Sequence, residues 1–274
     1  MDALKLIFFS LLAHFAIGAL VPLLLISVEE MGTMFFRLIS ILSIILLACA
    51  FRAHPFVAIT FAMPFAAASS HESQVVTLLA ASVFFLALTI FLLNRGGRIF
   101  AALAILTGLT AMAKLPSAFS TAAGVPSWMA AGSFMSAALL LGSVLGTMIT
   151  GHWYLVNRKL TIRPLQIATW VFIGLAALRA VFVIATVAGL AASSQPALAE
   201  TAKSLLDFSM AGILFWARVG FGLAIPLIFG WMIWSSVKVR NTQSATGILY
   251  ATIVLILVGE AFAKYLYLFT GIPV

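Results

Sequence analysis

Polar residues come in short groups along this chain, and the stretches between them are almost wholly apolar and about as long as a bilayer is thick. Such stretches can be marked at approximately 5–27, 33–51, 55–69, 75–93, 98–115, 127–150, 164–192, 209–235 and 245–270. Unbroken apolarity of this length predicts transmembrane helices, because a helix satisfies all of its own backbone groups in lipid. The expected fold is an all-α, polytopic transmembrane helix bundle of eight or nine spans, a single integral membrane domain over 1–274 with no soluble domain. Two segments are irregular. The third is short and carries Pro64, and the fifth runs into Lys114 and Pro116. Turn residues such as Asn94-Arg95-Gly96-Gly97 and Asn157-Arg158-Lys159 join the spans. The longest loop, 193–208, reads as a coil leading into a short amphipathic helix around Ala199–Lys203. No internal repeat is visible, which argues against an inverted-repeat transporter.

Composition agrees with this pattern. Of 274 residues, 64% are hydrophobic and 8% charged, where a soluble domain carries about 25% charged residues. Mean hydropathy is +1.21. The first apolar stretch, Leu6 to Val28, has no small-residue cleavage pattern and is too long for a cleaved leader, so it is expected to be the first span. A lone cysteine, Cys49, supports neither a disulfide framework nor a cysteine-ligated metal cluster. The formal charge of +8 is scattered over short loops, which speaks for topology and against nucleic acid. With segment 55–69 counted as a crossing, Lys5, Arg52, Arg95, Arg98, Arg158, Lys159, Arg163, Lys238 and Arg240 share one side. Arg37, Lys114 and Lys203 take the other. That asymmetry argues for keeping the segment, for a plasma or inner membrane location, for a cytoplasmic N-terminus and for a C-terminus outside.

Four charged residues do not belong to loops. Arg179, Arg218, Glu260 and Lys264 lie deep inside apolar segments. A charge near the bilayer centre costs at least about 2.5–3.5 kcal/mol, so each needs a partner or a function. Three cations against one anion leave two positive charges in excess among the last three spans, which argues for an anionic or electron-rich ligand. Glu260, Lys264 and Tyr267 are spaced i, i+4, i+7 and share a helix face. Lys264 either pairs with Glu260 or snorkels toward the interface beside Tyr265. An Arg218–Glu260 bridge between the last two spans is the structural alternative to ligand binding. Arg179 would then be left without an acid, to be met by backbone carbonyls, His14, a ligand or a carboxylate of another subunit.

His14, at mid-depth in the first span, is either hydrogen-bonded structure or a proton-exchanging contact to a quinone oxygen. His54, His71 and His152 fall at span ends or in loops, so a bis-histidine haem is not expected mid-membrane. One nearer the cytoplasmic face, on His54 and His152, stays open. Gly151-His152-Trp153-Tyr154 reads as an interfacial aromatic belt, and Gly142 with Gly146 as a close helix contact. The loop from Lys238 to Ser244 could meet lipid phosphates or a cytosolic subunit, or cap the last helix through Ser244. No phosphate-binding loop, zinc-protease helix, nucleophile elbow or dinucleotide fingerprint is present.

The glycine-rich segment Gly220-Phe221-Gly222 with Pro226, followed by Lys264-Tyr265 and Gly271, resembles the end of quinol-interacting membrane anchors of the polysulfide reductase and DMSO reductase type. The resemblance covers about a fifth of the chain. It implies a membrane anchor of a respiratory or electron-transfer complex with quinone as cofactor, His14 being where such anchors can carry a polar quinone contact. Partners would be other membrane and redox subunits and lipids; the chain would be at most the quinol-interacting part of an oxidoreductase. In that expectation Glu260 and His14 exchange protons, Arg179, Arg218, Lys264 and Tyr267 line the ligand, and no metal is bound. A small-anion transporter or channel, with the arginines as substrate cations, and a cofactor-free scaffold subunit are the alternatives.

Overall fold

The computed structural model describes residues 3–53, 71–93, 96–119, 124–157 and 159–274. Segment 55–69, with Pro64, and also His54, Arg95 and Arg158 lie outside them. The described residues form the all-α bundle that the apolar pattern predicts, with eight helices long and apolar enough to cross a membrane. In chain order the helices are α1 (Ala3–Gly18), its continuation α2 (Val21–Leu25), α3 (Val28–Met31), α4 (Thr33–Ala53), α5 (His71–Leu92), α6 (Gly97–Lys114) and α7 (Ser127–Val156). They are followed by α8 (Arg163–Ala191), α9 (Pro196–Ser204), α10 (Met210–Val219), α11 (Ile225–Lys238) and α12 (Thr242–Thr270). A π-turn, Gly220–Ala224, joins α10 to α11 into one span.

Two of the spans form the centre. In α1–α2 and in α7, 83% of the apolar window is buried, against 33–44% in the other six, which turn most of their residues outward. Helix α7 packs against α1, α6, α8 and α12. The α1–α7 contact is where the Gly142 and Gly146 spacing is used. A Cβ on Gly142 would stand 2.0 Å from the backbone of Gly18, and one on Gly146 would stand 2.7 Å from the Pro22 ring. Within lipid no water-driven collapse holds helices together, so this backbone approach is a main source of their attraction. Gly142→Leu is expected to wedge α1 from α7 and lower the melting temperature in detergent by several degrees. Gly174→Leu, at an exposed position with nothing within 4 Å, should leave it unchanged.

Long-range polar contacts establish which helix ends share a face. Arg98, at the start of α6, donates to the carbonyl of Ile26. Arg163 pairs with Glu30 at 3.5 Å, and Arg240 donates to the carbonyl of Leu160 at 3.0 Å. The connections around 26–32, 96–97, 157–162 and 239–241 therefore lie together on one face. Lys114 meets Gln74 at 2.9 Å on the opposite face, where α5 begins and α6 ends. Helix α4 starts beside α3 on the first face and runs to Ala53 on the second. Ala53 and His71 thus open on the same face. The eight helices likewise leave Ala3 and Thr270 on one face. Among the described residues Arg37, Arg98, Lys159, Arg163, Lys238 and Arg240 stand at the first face and Lys5, Arg52, Lys114 and Lys203 at the second. This is a weaker asymmetry than the sequence suggests, with Lys5, Arg52 and Arg37 on exchanged sides. We refer to the first as the basic face.

Local signals behave as their chemistry dictates, with one difference. The N-cap of α12 is Asn241, whose side chain accepts from the Ser244 N–H, so Ser244 is the capped residue and not the cap. A short amphipathic helix does form in the long loop, as α9, starting at Pro196.

Candidate functional site: a buried charge cluster

Three helices deliver the charges. Arg179 lies past the midpoint of α8, Arg218 in the last turn of α10 and Glu260 with Lys264 in the second half of α12, which sets all four at one depth, toward the face opposite the basic one. All are buried, at 0–1% exposure. Glu260 stands at the centre. Its Oε1 accepts from Arg179 Nε at 3.1 Å and from Arg218 Nη2 at 3.3 Å, and its Oε2 accepts from Arg179 Nη2 at 3.2 Å. Lys264 Nζ lies 3.9 Å from the same Oε2 and 3.9 Å from the centre of the Phe134 ring, whose face attracts the cation. Lys264 therefore turns inward and does not snorkel. Tyr265, beside it in sequence, faces out at 48% exposure and stacks on Phe269.

The two arginines are not equivalent. A guanidinium carries five N–H donors. Those of Arg179 are all engaged: two bonds form the bidentate pair with Glu260, Nη1 donates to Ser133 Oγ at 3.0 Å and Ser136 Oγ at 3.2 Å, and Nη2 also donates to the Val274 carbonyl at 3.1 Å. Arg218 has the single bond from Nη2 to Glu260, and its Nε and Nη1 have no hydrogen-bond partner among the described residues. The sequence reading, which paired Arg218 with Glu260 and left Arg179 without an acid, is half right. The Arg218–Glu260 bridge exists, but Arg179 is the saturated ion and Arg218 the one with donors to spare.

Arg218 owes its place to the turn that follows it. Ile225 N–H bonds back to the Gly220 carbonyl, five residues earlier, and Pro226, which follows, has no N–H to offer the Gly222 carbonyl. The same stretch lets α12 come close: a Cβ on Gly259 would lie 2.3 Å from Gly222 Cα, and one on Gly222 would lie 3.8 Å from Arg218 Nη1. Small residues thus bring Glu260 within reach of Arg218. Glycine and proline here form the site as well as pack it.

An aromatic group adjoins the charges. Phe134 is in ring contact with Tyr267 (5.5 Å), Phe119 (5.1 Å) and His14 (5.6 Å). His14 is fully buried, and neither ring nitrogen has a hydrogen-bond partner among the described residues. The structure therefore gathers Arg179, Arg218, Glu260 and Lys264 directly, with Tyr267 and His14 reaching the cluster through Phe134. Ser133, Ser136, Phe134 and the Val274 carbonyl are the members the sequence did not announce. The i, i+3 spacing of Ser133 and Ser136 in an apolar span was an available signal for a buried polar face; nothing in the sequence marks Phe134. His152 sits apart, near the end of α7 at the basic face, with its Nδ1 3.2 Å from Tyr250 Oη.

Among the described residues no three His, Cys, Asp or Glu side chains converge as a metal site. No protein-family model matches this chain, and a search of curated proteins finds no relative.

Proposed function

We propose that this integral membrane protein is the quinone-binding anchor of an electron-transfer complex, with the basic face cytoplasmic in a plasma or inner membrane and the charge cluster in the outer half of the bilayer. This orientation sets the Ala3 end outside and not, as the sequence suggests, in the cytoplasm. The observation that carries this reading is the free edge of Arg218. A buried charged donor without an acceptor costs more than about 1–3 kcal/mol, so an acceptor bound there stabilises the folded protein. The excess of two positive charges around Glu260 asks for the same partner, one with electron-rich oxygens. A quinone head fits: one carbonyl oxygen accepts from Arg218, and the unpartnered His14 is a second polar group beside the same aromatic wall. A quinone would supply the redox chemistry that none of these side chains has, and electrons would come from partner subunits. Glu260 acts in this reading as counter-ion, since both of its oxygens are engaged by cations. The resemblance of Gly220–Gly222, Pro226, Lys264-Tyr265 and Gly271 to quinol-interacting anchors supports the same reading.

A small-anion carrier is the second reading, favoured by the same two-charge excess. Native purification in mild detergent, with mass spectrometry of the co-purifying chains and solvent extraction of the sample, separates the two. Redox subunits together with extracted quinone are the expected result. A sample of this chain alone, free of quinone and active in anion uptake by liposomes, would move the carrier to first place.

A further inference from the structure

On the outer surface of the bundle, between the second half of α8 and the span formed by α10 and α11, lies an apolar groove of about 510 Å³. That volume is within the range of about 300–1,000 Å³ usual for small-molecule sites. Ala180, Val183, Ala188, Phe215, Trp216 and Ala224 are among its lining residues. Its outer rim faces lipid, Trp216 being 50% exposed, while Val183 and Phe215 form an inner wall at 1% and 4%. Both wall residues stand one helical turn from the arginines and on their stripes: Val183 follows Arg179 by four positions, and Phe215 precedes Arg218 by three. Leu223 and Ala224 belong to the π-turn that sets Arg218 against Glu260. A lateral apolar slot and a buried cationic site thus share their helices, their depth and one backbone irregularity.

We infer that this groove is the lateral entry and the berth for the isoprenoid tail of the quinone whose head meets Arg218, an inference that rests on the reading above. Three features select this occupant over a transmembrane helix or a soluble ligand. The groove spans a few turns and not the length of a helix. Its lining is apolar throughout and opens on the outer surface of the spans. Its inner wall lies one helical turn from Arg218, whose unpartnered Nε and Nη1 an acyl chain has no use for.

The berth has no polar lining residue, so it contributes affinity through apolar contact alone and should read tail length rather than head chemistry. Ile184 and Ala188 line the groove and are exposed on its lipid side, so Ile184→Trp and Ala188→Trp fill it without entering the core or the π-turn. The purified native assembly and both variants are titrated with a long-tailed isoprenyl quinone and with a tail-less methylated benzoquinone, following intrinsic fluorescence. The expected result is at least a tenfold loss of affinity for the long-tailed quinone in both variants, with tail-less binding unchanged. Unchanged affinity for both ligands overturns the berth while leaving head binding at Arg218 intact. Absence of quinone binding by the unaltered assembly overturns the head-group reading and the berth with it. A phospholipid retained in native mass spectra and displaced by Ala188→Trp gives the groove to an acyl chain, which also overturns the proposal.

Discussion

Glu260→Gln is expected to prevent recovery of a folded protein. The substitution keeps size and shape but removes the only side-chain carboxylate in contact with Arg179, Arg218 and Lys264 among the described residues. Three cations at 0–1% exposure then face one another without compensation. Removing one partner of a buried ion pair costs about 3–5 kcal/mol, because the charge left behind stays desolvated. Here one carboxylate serves three cations, so the upper part of that range applies. The measurable consequence is a melting temperature in detergent lower by about 10 °C or more, or loss of the monodisperse peak in size-exclusion chromatography. Adding Arg218→Met to Glu260→Gln leaves Arg179 and Lys264, which restores the wild-type excess of two positive charges, and should recover part of the loss. A Glu260→Gln protein as stable as wild type would show that another anion holds the cluster together and would remove Glu260 from its central place.

The same cluster shows what the sequence could and could not disclose. Apolar runs longer than a bilayer determine helices almost by themselves, so the all-α bundle was legible from hydropathy, and so were the four intramembrane charges. Their pairing was only partly legible. Spacing within one helix put Glu260, Lys264 and Tyr267 on one face, and they do share it. Which arginine takes the bidentate bond depends on how α8 and the α10–α11 span are each set against α12. The second of these is fixed by contacts such as Gly222 on Gly259, which leave no periodic trace. The Val274 carbonyl reaches Arg179 because α12 ends at Gly271, with φ +71, and the chain folds back into the bundle. Glycine marks such a cap in any sequence, but not where the residues after it go. The count of crossings, eight or nine, was legible only as a range, and the described residues contain eight helices of spanning length. Hydropathy measures apolarity of a stretch, whereas the number of crossings depends on which face its flanking helix ends occupy, and the contacts of Arg98 and Lys114 supply that.

Arg218→Met should separate ligand binding from folding, the converse of the Glu260 result. With Arg218 removed, Glu260 keeps both bonds from Arg179 and the approach of Lys264, and the excess charge falls from two to one. The buried N–H groups without partners disappear with the side chain. Exchanging an incompletely satisfied buried ion for an apolar chain of similar length is often neutral or stabilising, so the melting temperature should hold or rise by a few degrees. Ligand affinity should move the other way. A hydrogen bond from a charged donor is worth about 1.5–3 kcal/mol, which corresponds to roughly a 10- to 150-fold weaker quinone. Arg218→Lys retains the charge but not the planar fork, and should recover only part of the affinity. Saturation binding of quinone to the purified assembly, beside its melting curve, reads both effects in one preparation. Loss of stability together with unchanged affinity would make Arg218 a structural counter-charge of Glu260. The free edge of its guanidinium would then no longer mark a ligand site.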